Sequence, residues 1–225
     1  MEATQAKRRL SAILAADIVG YSRLVERDEA GTLAAIRKLR AEVIDPQLAK
    51  HHGRIVKLMG DGVIVEFGSV VDAVACAIAV QKQTAAAQID DPPDHRIIFR
   101  TGVNLGDVVV DGTDLLGDGV NVAARLEQLC DPGGILISGT AFDHLQGKID
   151  ATLDFRGEQR VKNIARAVRT YSVRIDGAPR LVFGACRTRK YTDDFGGHFS
   201  CPLALLPSSP GGSSWLEISR TSCST

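Results

Sequence analysis

Through residue 176 the chain alternates between apolar runs of strand length and stretches whose apolar residues recur at helical spacing. SAILAADIV (residues 11–19) is a short, nearly continuous apolar run and predicts a buried strand. In DEAGTLAAIRKLRAEVIDPQLAKHHG, the residues Leu33, Ile36, Leu39, Val43 and Ile44 fall at helical intervals, and Gly53 is expected to close that helix. RIVKLMGDGVIVEF reads as two strands around a tight turn, because Asp-Gly supplies the positive φ that a two-residue loop requires. VVDAVACAIAVQKQTAA predicts a second helix, and RIIFRTGVNLGDVVV a further strand with Gly102 and Gly106 at bulges or turns. The order to this point is βαββαβ.

GDGVNVAARLEQLCDPGG predicts a third helix, with Asp118 available as its cap, Val122, Leu126 and Leu129 as its apolar stripe, and Pro132-Gly133-Gly134 as its stop. A strand ILIS, a short helix from Gly139 to Leu145 and strands around TLDFRGEQRV and VRTYSVRI follow. The expected fold is α+β, a ferredoxin-like βαββαβ mixed sheet with helices on one face. Residues 1–10 read as an N-terminal arm and residues 11–176 as one domain. Residues 177–225 lose all periodicity, are rich in Gly, Ser and Pro, and read as an irregular tail.

Composition narrows the partners more than the fold. With a formal net charge of +0, the chain offers no basic footprint for a nucleic-acid polymer, so recognition of any anion must be local. The N-terminal apolar run is short and broken by Asp17, which fits neither a signal peptide nor a spanning helix, so a cytoplasmic domain without membrane insertion is expected. The five cysteines form no C-x-x-C pair, which argues against a disulfide framework or a structural zinc site.

Candidate chemistry begins with two acids. Asp17 closes an apolar strand, where a carboxylate is costly unless a cation or donors satisfy it. Asp61 sits at the hairpin tip, and βαββ connectivity can bring that tip beside the end of the first strand. Two convergent carboxylates next to a glycine-containing turn suit a pair of divalent ions and a triphosphate. Asn121, Arg125 and Gln128 form a polar stripe at i, i+4 and i+7 on the third helix.

ADIVGYSRL with Asp17, KLMGDGVIVEF with Lys57 and Asp61, and DLLGDGVNVAARLE with Asp114, Asn121 and Arg125 occur in one order at matching spacings. Together they resemble the class III nucleotidyl cyclases, the catalytic domain of adenylate and guanylate cyclases, from about Arg8 to Ile175. The resemblance implies the nucleotide cyclase fold and two Mg²⁺ or Mn²⁺ ions held by Asp17 and Asp61, with Ile18 also at the metal site. It implies that the backbone N–H groups of Ile18, Val19, Gly20, Tyr21 and Ser22 cradle the β- and γ-phosphates, that Lys57 and Asp114 read the base, and that Asn121 and Arg125 serve the ribose and the transition state. An ammonium facing N1 and a carboxylate facing the N6 amino group suit adenine, and guanine reverses both, so ATP is the expected substrate and cyclic AMP with pyrophosphate the expected product. The family assembles each site from two protomers, which implies a homodimer with two shared sites.

Departures from the family pattern include Ala15, Tyr21 and Ser22. A further triphosphate-gripping cation is open between Lys162 and Arg166. Guanylate cyclase and a catalytically silent dimerisation module are the alternatives. No G-G-D/E-E-F stretch supports a diguanylate cyclase, and neither a P-loop nor G-x-G-x-x-G is present.

Overall fold

A computed structural model describes residues 7–111, 114–160 and 167–175. The 177–225 segment, Lys162 and Arg166 lie outside the described residues. The elements are β1 (Lys7–Ile18), α1 (Tyr21–Arg27), α2 (Glu29–Leu39), α3 (Asp45–Lys50), β2 (Arg54–Met59), β3 (Gly62–Phe67), α4 (Val70–Ala87), β4 (Phe99–Asp111), β5 (Asp114–Leu116), α5 (Asp118–Leu129), β6 (Ile135–Ser138), α6 (Gly139–Leu145), β7 (Thr152–Gln159) and β8 (Val168–Arg174). A π-helical turn over Arg40–Ile44 joins α2 to α3. One mixed sheet runs β2-β3-β1-β4-β6-β8-β7, with β5 paired to β4. Its first four strands carry the expected βαββαβ order, and the β4–β6 pair is parallel.

Several expectations need correcting. β1 begins at Lys7, so Lys7–Leu10 belong to the sheet and not to an N-terminal arm. Helices cover both faces, not one. Ala12 and Leu14 of β1 pack with α4, while the alternating Ile13 and Ala15 pack with Ala123 of α5. The continuous apolar run of β1 follows from this, since a strand buried on both sides has no solvent face to keep polar.

Gly102 and Gly106 are not bulges: β4 pairs with β1 over twelve residues without a register shift. A Cβ at Gly102 would stand 2.3 Å from both Ala123 O and Glu127 N, so the missing side chain lets the α5 backbone lie directly on β4. Nor does Gly53 end the preceding helix, because α3 stops at Lys50 and His52 takes the positive φ of 57°. Gly53 instead clears the Phe67 ring, 2.7 Å from its ideal Cβ.

The cap of α5 is Gly117 at φ 120°, with Asp118 inside the first turn. The β4–β5 hairpin packs Leu115 against Ile13, Ala15 and Ile64 on the α5 side. Leu129 is 46% exposed. It sits at the last residue of α5 and at the rim of the arc buried by Val122, Ala123, Leu126 and Glu127.

The β2–β3 hairpin is tied to β1 through Glu66, whose side chain is 8% exposed. Arg54 Nη2 donates to Oε2 at 2.8 Å, Ser11 Oγ to Oε1 at 2.8 Å, and Arg9 Nη2 pairs with Oε1 at 2.6 Å. Burial alone would raise the Glu66 carboxyl, but the bonds from Arg54, Ser11 and Arg9 outweigh it and hold the carboxyl below the ordinary range.

Two outcomes follow for stability. Gly102→Ala should cost at least about 1–3 kcal/mol, because the clashing atoms are backbone and cannot rotate away, whereas Gly68→Ala, with nothing within 4 Å, should stay within about 0.5 kcal/mol; chemical denaturation checks both. A depressed folded-state value means the stabilisation from Glu66 is present above its unfolded value of 4.5 and is lost as pH falls through the folded one. Thermal unfolding of Glu66→Gln should therefore show a lower melting temperature at neutral pH and a shallower loss in acid than the parent chain.

Candidate active site

The β1 strand delivers Asp17 to its C-terminal end on the same face as Ile13 and Ala15, towards α5. Directly opposite in the antiparallel register stands Arg100 of β4, and its Nη2 donates to Asp17 Oδ2 at 2.5 Å. The hairpin tip supplies the second acid. Met59 pairs with Gly62, so the loop residues are Gly60 and Asp61, and Gly60 at φ 62° is the one that takes the positive φ, as in a type II′ turn. The glycine before Asp61, not the one after it, makes the turn.

The turn brings the Asp61 carboxyl beside that of Asp17. Burial first, then hydrogen bonding and like charge from Asp17, lift the Asp61 carboxyl above the ordinary carboxylate range, while Arg100 offsets part of the rise. A cavity of about 200 Å³ opens beside the two acids, lined also by Gly62, Ala124 and Glu127. The donor set is all oxygen, and two carboxyls converging on one cavity suit a hard dication, so Asp17 and Asp61 fit Mg²⁺ or Mn²⁺. Ile18 offers only its backbone carbonyl, since its side chain is buried with Leu24 and Phe99.

The site also contains two charged residues that sequence reasoning passed over. Arg100 Nη2 lies 3.2 Å from Glu127 Oε1, forming an ion pair outside hydrogen-bond geometry. Glu127 is buried, and its carboxyl is pushed up to about 7, by burial first and then by Asp17 and Asp61 against the pull of Arg100. A signal for it was present: on α5 Glu127 shares the arc of Val122, Ala123 and Leu126, so it is a charge on the apolar stripe. Arg100 carries no such signal, because its cross-strand neighbour is set by register alone.

The expected phosphate cradle narrows. Val19 N–H donates to Ile98 O at 2.8 Å and so extends the sheet by one bond. Gly20 follows at φ 68°, and the N–H groups of Tyr21 and Ser22 lie in the first turn of α1, where no helical acceptor reaches them.

Lys57 and Asp114 form a second centre, with Nζ 3.7 Å from Oδ2 and about half of each side chain exposed. Leu115 N–H donates to Asp114 Oδ1 at 2.8 Å and fixes the carboxylate. Lys57 gets there through a bulge: Ile55 pairs with Val65 and Lys57 with Ile64, so Val56 is an extra residue. Without it Lys57 would oppose Val63 and point to the other face of the sheet. Asn121 and Arg125 lie on the exposed side of α5, where Arg125 donates to Gln128. Among the described residues, no hydrogen bond or ion pair joins Lys57, Asp114, Asn121 or Arg125 to Asp17 or Asp61.

Comparison with known proteins identifies the family. The family model of the adenylate and guanylate cyclase catalytic domain matches residues 4–174. The Rhizobium meliloti protein named "Putative adenylate cyclase 3" is 52% identical over 166 residues, which is 74% of this chain and 28% of that protein. Thus the chain spans little more than a quarter of that relative's length. The crystal structure of an adenylate/guanylate cyclase/hydrolase from Silicibacter pomeroyi superposes with a TM-score of 0.71 at 42% identity, covering 75% of this chain and 98% of that one. The adenylyl cyclase CyaB from P. aeruginosa superposes at 0.66 and 26% identity, covering 76% and 96%.

Glu127, pushed up to about 7, lines the same cavity, so it gains negative charge beside the acids as pH rises through that value and cation binding should strengthen. Mn²⁺ should raise the melting temperature more at about pH 8 than at about pH 6, and Asp61→Asn should abolish most of the rise; differential scanning fluorimetry reads both.

Proposed function

The chain belongs to the adenylate and guanylate cyclase catalytic domain family, and on that basis we propose that it is an adenylate cyclase that converts ATP to 3′,5′-cyclic AMP and pyrophosphate. The observation that carries this reading is the convergence of Asp17 and Asp61 on one open cavity. Asp17, Asp61 and the Ile18 carbonyl would hold two Mg²⁺ or Mn²⁺ ions. When bound, such ions promote loss of the ribose 3′-hydroxyl proton and neutralise charge on the phosphates.

The chain's own residues do the rest. The N–H groups of Gly20, Tyr21 and Ser22 receive phosphate oxygens as a nest of donors. Lys57 and Asp114, pre-paired at 3.7 Å and open to solvent, exchange their mutual contact for the adenine edge, with Lys57 donating to N1 and Asp114 accepting from N6. Guanine would set a donor against Lys57 and a carbonyl against Asp114, and buried mismatches of this kind are rejected by orders of magnitude. Asn121 orients the ribose. Arg125 spreads its guanidinium over the non-bridging oxygens as the 3′-oxygen attacks the α-phosphorus and pyrophosphate departs. Because ATP is a cytoplasmic nucleotide, the domain is assigned to that compartment. Among the described residues no helix is long and apolar enough to cross a membrane.

Among the described residues no hydrogen bond or ion pair joins the two centres, in keeping with a homodimer in which one protomer's Asp17 and Asp61 face its partner's base-reading and α5 residues. Incubation with ATP or GTP and Mn²⁺ should give cyclic AMP as the major product, and Arg125→Ala should lower kcat by about 10²–10³-fold. Cyclic GMP as the main product would overturn the roles of Lys57 and Asp114, and no product with either nucleotide would leave a silent dimerisation module. Asp17→Ala and Asn121→Ala chains, each inactive alone, should regain about a quarter of the parent activity when mixed in equal amounts, since half the dimers then hold one intact site.

A further inference from the structure

Two buried polar atoms beside the acids have no hydrogen-bond partner: Arg100 Nε and Glu127 Oε1. Unmade bonds of this kind are costly, and they sit on residues already close to each other. Arg100 Nη2 is shared unequally, at 2.5 Å from Asp17 Oδ2 and 3.2 Å from Glu127 Oε1. In this arrangement the guanidinium occupies Asp17 while leaving its own Nε and the Glu127 oxygen unsatisfied.

We propose that Glu127 is a positioning residue, the alternative seat that takes the Arg100 guanidinium when a divalent cation takes Asp17. The inference rests on the reading of Asp17 and Asp61 as the cation-holding pair. A guanidinium cannot shed its proton to make way, so it must move when a dication claims the same oxygen. The ends of its movement are fixed by the fold. Glu127 cannot come to Arg100, because its backbone is seated on β4 at Gly102. Arg100 can go to Glu127, because its side chain is 27% exposed and Oε1 has a bond to offer. A turn of the guanidinium that brings Nε to Oε1 would pair both orphaned atoms and free Asp17, with Glu127 as the acceptor.

The test is a Mn²⁺ titration followed by calorimetry and by the cation-induced rise in melting temperature, in the absence of nucleotide, on four full-length chains: the parent, Glu127→Gln, Arg100→Gln and the double variant. Glu127→Gln should weaken Mn²⁺ binding by about tenfold, since Arg100 then stays on Asp17. Arg100→Gln should bind at least as tightly as the parent, and in its background Glu127→Gln should change binding by less than about twofold. This pattern separates the proposal from a long-range charge effect, which would persist in both backgrounds, and from a purely structural role, which would make the double variant worst. Should Glu127→Gln fail to fold, Glu127→Asp takes its place, with a smaller weakening that again vanishes without Arg100. Equal Mn²⁺ binding by the parent and Glu127→Gln, or an undiminished effect in the Arg100→Gln background, overturns the inference alone. A parent chain that binds no Mn²⁺, and that matches Asp61→Asn, overturns the metal reading and the inference with it.

Discussion

With no side chain at Gly102, the backbone of α5 descends onto β4 until helix atoms lie 2.3 Å from where a Cβ would stand. The closeness of that seating sets the relation between the helix that carries Asn121 and Arg125 and the strand pair that carries Asp17 and Arg100. Asn104 reinforces it by donating from Nδ2 to Gly119 O at 2.9 Å, and Gly119 in turn sits 2.9 Å, by its ideal Cβ, from Asp107 O. A side chain at either glycine would lift the helix, and a helix lifted from β4 would withdraw Glu127 from Arg100. The geometry of the acids is thus held by main-chain packing before any charge is considered.

Charge is concentrated where that packing is tightest. Three carboxyls and one guanidinium share a small volume beside a 200 Å³ cavity, and two of the carboxyls, Asp61 and Glu127, are raised by burial first and then by Asp17. Such a cluster is only partly compensated by Arg100, which is the reason for proposing a cation there. Elsewhere the sheet settles its charges internally. Glu66 has the opposite fate, with Arg54, Ser11 and Arg9 holding it ionised and tying the hairpin to β1. One buried acid stabilises the scaffold and the others await a partner.

What the sequence revealed divides along physical lines. β1, the hairpin, α4, α5 and the three late strands were legible, because each is a local pattern of apolar residues bounded by turn formers. The pairing of Asp17 with Asp61 was legible as well, since connectivity alone brings a hairpin tip to the end of the first strand. Features that depend on register were not. A single extra residue at Val56 turns Lys57 to the α5 side, and nothing in RIVKLM distinguishes a bulged strand from a regular one. Gly102 was read through its freedom of φ, whereas its function is to be narrow. Arg100 became visible only once β1 and β4 were aligned, and Glu127 was a discordant charge whose reason lay on another element.

The bulge at Val56 has an effect beyond aiming one lysine. Among the described residues β2 is the last strand on its side of the sheet, so no further strand pairs with its outer N–H and C=O groups there. A flat, regular edge of this kind invites a foreign strand to add itself, and the interruption at Val56, with Arg54 and Lys57 flanking it, spoils the template. The irregularity that orients Lys57 therefore also guards the open margin against fibre-like self-association, and straightening it would expose the chain to aggregation as well as misplacing Lys57.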